Sequence, residues 1–150
     1  MKQILVINGP NLNMLGVREK SIYGTNTLEE INSMILGETA NLDVEVDFFQ
    51  SNHEGDIIDE IQAAYYNGVD GIVINAGAFT HYSYAIHDAI TSVDIPFVEV
   101  HLSDISAREE FRKVSVIKDA CIAQIAGQGY AGYVQAIGLL SREAKGELYD

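Results

Sequence analysis

Two apolar stretches decide the fold class of this 150-residue chain: QILVINGPN at residues 3–11 and GIVINAG at residues 71–77. In each stretch a run of almost wholly apolar residues, 3–7 and 71–74, ends at residues that favour turns. Such runs are typical of strands that helices cover on both faces. They therefore predict central strands of a parallel α/β sheet.

Three further strand-like runs extend the pattern, at residues 44–49, 97–100 and, more weakly, 121–126. The connections between runs have helical periodicity, which implies crossover helices and parallel strands. Five such strands predict a flavodoxin-like doubly wound sheet with helices on both faces. We expect residues 1–150 to form a single domain, since the chain has the length of one.

Apolar stripes of helical spacing fill the gaps between the runs. The first helix begins at Thr27, where Glu30 completes a capping box. Further stripes lie at residues 57–65, 85–90 and 130–144. The alternation of strand and helix is thus predicted along the whole chain.

The composition excludes several classes of partner. Lys and Arg number 9 against 22 Asp and Glu, a net charge of −13, which repels nucleic acid and anionic lipid. No apolar run reaches membrane-spanning length, so neither nucleic acid nor a membrane is an expected partner. The single cysteine, Cys121, suits a reducing cytoplasm, and its apolar surroundings predict a core residue rather than a nucleophile.

Polar residues follow each of the first four strands. In open parallel sheets, ligands bind beyond the carboxyl ends of the strands. The side chains expected there form a ring suited to a polar, hydroxylated small molecule. The alternative is that these positions are polar only because the chain enters water there. The ring comprises Asn8, Asn11, Ser51, Asn52, His53, Asn75, His101 and Ser103.

The loop after the first strand, residues 9–26, is longer than most strand-to-helix connections. It carries Arg18 and Tyr23 and is typical of an active-site lid, the alternative being a mobile insertion. A free tyrosine has a pKa near 10, so a base at neutral pH needs a depression of about 3, roughly 4 kcal/mol. A desolvated lid with a guanidinium beside the phenol could supply it.

The four arginines are placed unevenly. Ser106 and Glu109 form a second capping box and predict a short helix through Arg112, with Arg108 on the same face. With Arg18, three arginines would lie near one site and favour capture of an anion such as a carboxylate. The alternative is a surface helix whose acidic and basic residues pair with each other.

Glu99 and His101 are two residues apart on a strand, so their side chains point the same way. A carboxylate beside an imidazole orients it and raises its pKa, the arrangement wanted in a general acid. The alternative is a structural histidine at a strand end.

Two other signals favour structure over function. The glycines of residues 127–132 match G-x-G-x-x-G, but no strand follows to supply a ribose-binding acid, so close strand–helix packing is predicted. The four histidines lack zinc-type spacing, so no metal site is expected.

The ring, the lid and the arginine segment together resemble the type II 3-dehydroquinate dehydratases (type II dehydroquinases). The resemblance covers nearly the whole chain in family order. It is carried by residues 7–12, 15–18, 22–24, 50–55, 74–81, 98–103 and 108–112.

The resemblance implies a single catalytic domain, a hydro-lyase that converts 3-dehydroquinate to 3-dehydroshikimate by anti elimination through an enolate, without a cofactor. It implies that Tyr23 is the base, held as phenolate by Arg18, and that His101, oriented by Glu99, is the general acid. Asn11 would hold a water that stabilises the enolate. Substrate-binding roles are implied for Asn75, His81, Asp88, Leu102, Ser103 and Arg112.

The resemblance also implies a cytoplasmic homododecamer, a tetramer of trimers, in which Asp88 reaches a neighbouring subunit's site. The pathway could be aromatic amino acid biosynthesis (the shikimate pathway) or quinate breakdown. Asp104, Ser106 and His87 depart from residues frequent in the family. Because His87 adjoins Asp88, the inter-subunit contact is the part of the resemblance that this departure affects most.

Two rivals differ in class from the dehydratase. The first is a flavodoxin-like binding or signalling module without catalysis. A phosphoacceptor module would need acidic residues at the strand ends, where this chain has Asn8 and Asn75, whereas a flavin or dinucleotide binder would carry a bound cofactor that an absorbance scan detects. A hydrolase would need a nucleophile elbow, and no serine or cysteine here has that setting.

Overall fold

The two apolar runs lie side by side in the centre of a five-stranded sheet. The computed structural model describes residues 1–17 and 20–143, and all the strand pairs there are parallel, in the order β2-β1-β3-β4-β5. This confirms the flavodoxin-like doubly wound sheet predicted from the sequence. The strands are β1 (Lys2–Asn8), β2 (Val44–Gln50), β3 (Gly71–Asn75), β4 (Phe97–His101) and β5 (Ala123–Ala126).

The strand order reverses between β1 and β3, and that junction is where a doubly wound sheet leaves a crevice for a ligand. The two strands pair in register from Ile4 opposite Gly71 to Asn8 opposite Asn75. Both strands therefore end on an asparagine at the same level of the sheet. The end of β4 lies next to them, with Ile74 opposite Glu99.

The described residues contain five α-helices, of which four lie between strands and the last follows β5. The predicted capping box at Thr27 is confirmed: its hydroxyl accepts from the Glu30 N–H at 3.1 Å, and the Thr27 N–H donates to the Glu30 carboxylate at 3.1 Å. The helices are α1 (Lys20–Tyr23), α2 (Leu28–Glu38), α3 (Glu54–Tyr66), α4 (Tyr84–Ser92) and α5 (Ala131–Arg142).

Alternate side chains of the central strands pack into two separate hydrophobic cores, one on each face of the sheet. Val6 and Val73 point to the face covered by α2 and α5, whereas Ile7 and Ile74 point to the face covered by α3 and α4. Because both faces are buried, β1 and β3 need apolar residues at nearly every position. This is why the sequence pattern predicted them so clearly.

The second predicted capping box is wrong. Asp104, not Ser106, caps this segment: its carboxylate accepts from the Ser106 N–H at 3.0 Å and from the Ser106 hydroxyl at 2.6 Å. In place of one helix through Arg112 the chain forms two 3₁₀ turns, Ile105–Ala107 and Glu110–Lys113. Because Asp104 is the N-cap of the first turn, Ser106 lies inside that turn and does not cap a helix.

The glycine motif after β5 is structural, as predicted, but for two different reasons. Gly127 and Gly129 adopt φ of 78° and 58°, which glycine reaches without strain. Gly132 allows α5 to approach the sheet, since a Cβ there would lie 3.3 Å from the side chains of Ile125 and Val100. Close packing therefore explains one of the three glycines, and left-handed backbone the other two.

None of the helices within residues 1–17 and 20–143 is long and apolar enough to cross a membrane.

The loops that leave β1 and β3 touch at Gly9, which generates a prediction. A Cβ on Gly9 would lie 2.5 Å from the Ala76 carbonyl oxygen, too close for any side chain. We expect Gly9→Ala to lower the free energy of unfolding in urea by about 2–3 kcal/mol. The control is Gly37→Ala, exposed in α2 with no atom nearby, which should raise it by about 0.5–1 kcal/mol. Equal stability of Gly9→Ala and the wild type would contradict the packing described.

Candidate active site

One solvent-open cleft lies at the carboxyl edge of the sheet. Four of the eight polar residues of the predicted ring line it, Asn11, Asn75, His101 and Ser103, whereas Asn8, Ser51, Asn52 and His53 do not. The space that the cleft encloses, including the part open to solvent, is about 590 Å³. The structure thus brings together seven of the residues to which the sequence assigned site roles. These are Asn11, Asn75, His81, His101, Leu102, Ser103 and Arg112, and Arg108 lines the cleft beside them.

Glu99 and His101 form the hydrogen-bonded pair that their spacing predicted. The His101 Nε2 lies 2.5 Å from the Glu99 carboxylate. Glu99 is fully buried at 0% exposure, and His101 is buried at 6%. The carboxylate therefore fixes the imidazole at the cleft wall without itself touching solvent.

Two further side chains hold the Glu99 carboxylate. The Ser115 hydroxyl donates to it at 2.8 Å, and the Gln124 side-chain amide donates at 3.2 Å. Burial by itself raises the pKa of Glu99, but the hydrogen bonds and charge of His101, with the bonds from Ser115 and Gln124, outweigh it and leave the pKa below its usual value. Glu99 is therefore a buried carboxylate ion.

His81 lies on the 3₁₀ segment Gly77–His81 that follows β3. Its Nδ1 lies 2.7 Å from the Val114 carbonyl oxygen, so Nδ1 carries the proton and donates it. Burial lowers the pKa of His81, which favours the neutral ring. In that form the Nε2 is an acceptor that can receive a hydrogen bond from a hydroxyl.

Asn11 lies in the tight turn after β1. It adopts φ of 68°, a left-handed conformation that asparagine tolerates better than most residues. Its N–H donates to the Asn52 side-chain oxygen at 3.0 Å, and the Gln50 amide donates to the Gly9 carbonyl at 3.1 Å. The loop is thus tied to the end of β2, and Asn11 is held at the cleft.

The two cleft arginines approach from separate 3₁₀ turns rather than from one helix. Arg108 lies between the turns and donates to the Ser103 hydroxyl at 3.3 Å. Arg112 donates to the Glu109 carboxylate at 2.6 Å and stacks its guanidinium 4.6 Å from the centre of the Phe111 ring. The prediction of a shared helical face is therefore wrong, but both cations line the cleft as expected.

Two predicted site residues fall where the structure describes no side chain, and a third, Asp88, lies away from the cleft. Arg18 lies outside the described residues, and Tyr23 is described only as the last backbone position of α1. Asp88 lies on α4, where 82% of its side chain is exposed and its carboxylate is 3.3 Å from the His87 ring. Asp88 does not line the cleft of its own chain.

Sequence reasoning missed the residues that support the cleft from behind. Gln124 lies opposite Glu99 in the register of β4 and β5, a signal available only once that pairing is known. Ser115 comes from an irregular segment whose path no sequence pattern predicts. Tyr133, fully buried on α5, donates to Asn8 and accepts from Asn75.

Cys121 behaves as predicted for a core residue. It packs against the core on the α3 and α4 side, and burial raises the pKa of its thiol to about 12. A thiol in that state is not a nucleophile at neutral pH. Across the described part of the chain, no group of three or more His, Cys, Asp or Glu side chains is arranged to hold a metal.

Comparisons with known proteins agree with this geometry. The sequence model of the family described as Dehydroquinase class II matches residues 2–141. A 3-dehydroquinate dehydratase of Caldicellulosiruptor bescii is 59% identical to this chain over 137 residues, which cover 91% of this chain and 94% of the relative. A 3-dehydroquinate dehydratase of Clostridium perfringens is 54% identical over 143 residues, which cover 95% of this chain and 99% of the relative. The crystal structure of the Butyrivibrio crossotus type II dehydroquinase superposes with a TM-score of 0.91 at 57% identity, covering 93% of this chain and 97% of that one. That of the Propionibacterium acnes enzyme gives 0.91 at 40% identity, covering 95% and 98%.

The buried charge of Glu99 generates a pH prediction. Because its pKa in the folded protein lies below the ordinary 4.5, the ionised form stabilises the fold above pH 4.5, and this stabilisation is lost as the pH falls through the lower folded value. We expect the free energy of unfolding to decline in that acidic window. In Glu99→Gln the free energy of unfolding should fall less steeply with acidification than in the wild type. At neutral pH it should be lower than that of the wild type.

The matched control for this prediction is Glu110→Gln, at an exposed carboxylate that pairs with Lys113 of the same 3₁₀ turn at 3.0 Å. Its stability curve between pH 3 and 7, measured by urea unfolding at each pH, should stay close to that of the wild type. A Glu99→Gln curve parallel to the wild-type curve would contradict an ionised Glu99 in the folded protein.

Proposed function

This chain belongs to the class II dehydroquinase family and is an enzyme, a 3-dehydroquinate dehydratase, and we propose that the residues of the cleft perform the elimination as follows. One observation carries the proposal: the Glu99–His101 pair lies at the wall of a cleft that two arginines also line. A proton donor and anion-binding cations in one cleft are what an elimination on a carboxylate substrate requires. The alternative of a binding or signalling module without catalysis is therefore set aside.

The substrate carboxylate and hydroxyls would bind to the fixed polar groups of the cleft. Arg112 supplies positive charge, and guanidinium groups bind carboxylates with two parallel hydrogen bonds. Asn75, His81 and Ser103 supply side-chain donors and acceptors, and Leu102 supplies backbone. Among the described residues no carboxylate lines the cleft, which favours an anionic ligand in a protein of net charge −13.

The first chemical step would be removal of the proton next to the ketone. We assign this to Tyr23 as phenolate, with Arg18 beside it to stabilise the ionised form. The electron pair of the broken C–H bond would pass to the ketone oxygen and form an enolate. Asn11 would stabilise that charge through a bound water, since charge developing in a desolvated site gains most from a fixed donor. The position of these residues in the loop after β1 supports the assignment.

The second step would expel the hydroxyl from the neighbouring carbon. His101 would donate a proton to the departing oxygen, so that water leaves as the enolate collapses to the conjugated ketone. Glu99 supports this role because its buried carboxylate binds the His101 Nε2 and holds the imidazole in one orientation at the cleft. The proton gained by Tyr23 and the one lost by His101 balance the reaction, so it needs no metal and no redox cofactor.

The Tyr23 assignment gives a direct test. Purified enzyme with 3-dehydroquinate and EDTA should show a rising enone absorbance. Tyr23→Phe and Arg18→Ala should each lower kcat by about 10²–10⁴-fold with little change in KM, because the base acts only in the chemical step. The control is Tyr66→Phe, at a tyrosine 84% exposed at the end of α3, which should match the wild type. A near-normal kcat in Tyr23→Phe would remove the base assignment.

We also propose that the active protein is a homododecamer, a tetramer of trimers, in which Asp88 completes the site of a neighbouring subunit. Two observations support this. Asp88 is exposed on α4 and does not line its own cleft. The same helix begins beside Tyr82 and Tyr84, which are 59% and 69% exposed, and aromatic side chains left open on a surface are typical of subunit contacts.

Complementation tests this proposal. Asp88→Asn and His101→Ala should each be weakly active, whereas co-expressed subunits should recover up to about a quarter of wild-type activity, since random assembly places an intact His101 beside a neighbour's intact Asp88 in that share of sites. Sedimentation should give a single species of twelve subunits. Asp94→Asn, on an exposed aspartate after the same helix, should keep full activity. Failure to complement in a mixed dodecamer would contradict the contribution of Asp88 across subunits.

A further inference from the structure

We infer that Tyr133 is a positioning residue for Asn75, holding its amide so that a single donor is presented to the substrate. The inference rests on the substrate-binding role proposed for Asn75. Tyr133 does not line the cleft; it acts from behind it, through the bottom of the crevice between β1 and β3.

Tyr133 reaches this point from the opposite end of the sequence. It lies on α5 and is fully buried, at 0% exposure, yet its hydroxyl lies at the paired ends of two strands. Asn8 and Asn75, which face each other in register there, are exposed by only 1% and 3%. One phenol thus contacts the two asparagines that end the central strands.

The hydrogen bonds around this phenol have a fixed direction. The Tyr133 hydroxyl donates to the Asn8 side-chain oxygen at 2.6 Å and accepts from the Asn75 side-chain nitrogen at 3.0 Å. Burial raises the pKa of Tyr133, so the phenol stays protonated and keeps both roles at any pH where the enzyme works. A relay therefore runs from the Asn75 amide through Tyr133 to Asn8.

The other side of the Asn75 amide is also occupied. The Gly77 N–H donates to the Asn75 side-chain oxygen at 3.2 Å. A carboxamide has two N–H donors, and Tyr133 takes one of them. The remaining N–H of Asn75, a residue that lines the cleft, is then the group left for a ligand oxygen.

Phenylalanine at position 133 would keep the packing and lose this control. The relay would lose its central hydroxyl. The Asn8 side-chain oxygen would lose its donor from Tyr133, and one N–H of the Asn75 amide would lose its acceptor. The Asn75 amide could then rotate to satisfy its own donors, so substrate binding would weaken while the chemical step, which uses other residues, would proceed as before. The expected signature is a change in KM without a change in kcat.

The test is a double-mutant cycle on KM. Tyr133→Phe should raise KM about tenfold, the equivalent of about 1.4 kcal/mol, with kcat within about twofold of the wild type. Asn75→Ala should raise KM at least as much. Adding Tyr133→Phe to Asn75→Ala should then leave KM unchanged, because the amide that Tyr133 positions is already gone.

Controls separate positioning from folding. Tyr130→Phe removes a hydroxyl from the residue before α5, which lies near Glu38 and does not line the cleft, and should leave KM unchanged. Thermal unfolding of every variant reports stability separately. If Tyr133→Phe does not fold, Asn8→Ala interrupts the same relay and should raise KM in the wild-type background but not in Asn75→Ala.

The outcomes are distinct. If Asn75→Ala leaves KM unchanged, the binding role proposed for Asn75 fails and the inference fails with it. If Asn75→Ala raises KM but Tyr133→Phe does not, the binding role stands and only the positioning role is overturned. If Tyr133→Phe raises KM equally in both backgrounds, the phenol acts independently of Asn75, which also overturns the inference.

Discussion

The site depends on keeping one carboxylate ionised inside the protein. Glu99 has no exposed surface, and moving an unpaired carboxylate from water into such a place costs several kcal/mol. Three donors on three different segments offset that cost: His101 on β4, Gln124 on β5 and Ser115 on the loop between them. The edge of the sheet must therefore be assembled in full before Glu99 can hold a charge, and the charge then fixes His101 at the cleft.

The same loop joins two parts of the cleft. Val114 accepts the hydrogen bond of His81, and the next residue, Ser115, donates to Glu99. The Ser115 hydroxyl also accepts from the Lys118 N–H at 3.1 Å, which directs its proton toward the carboxylate. His81, on the 3₁₀ segment after β3, and His101, at the end of β4, are therefore positioned by adjacent residues of one irregular segment. A displacement of that segment would disturb both histidines together.

Features that depend on periodicity were predicted correctly from the sequence. The choice of capping residue before Arg108 and the long-range side-chain contacts of the site were not. The strands, the two cores and the Glu99–His101 pair follow from alternation along a strand, which is local. The capping box at Ser106 was wrong because Asp104, two residues earlier, caps the first turn and accepts from the N–H and hydroxyl of Ser106. Tyr133 and Ser115 carry no local signal, since their partners lie 58 and 16 residues away. Contacts of that kind are set by packing, which a sequence pattern does not contain.

Three polar groups of the cleft, His101, His81 and the Asn75 amide, each form a hydrogen bond to a partner outside the cleft lining before a ligand binds. Glu99 binds one nitrogen of His101, the Val114 carbonyl binds one nitrogen of His81, and Tyr133 binds one hydrogen of the Asn75 amide. What remains on each group is a single atom of defined character, which removes the entropic cost of choosing an orientation during binding. Under the binding roles proposed above, specificity for the substrate depends on these buried partners as well as on the residues that line the cleft.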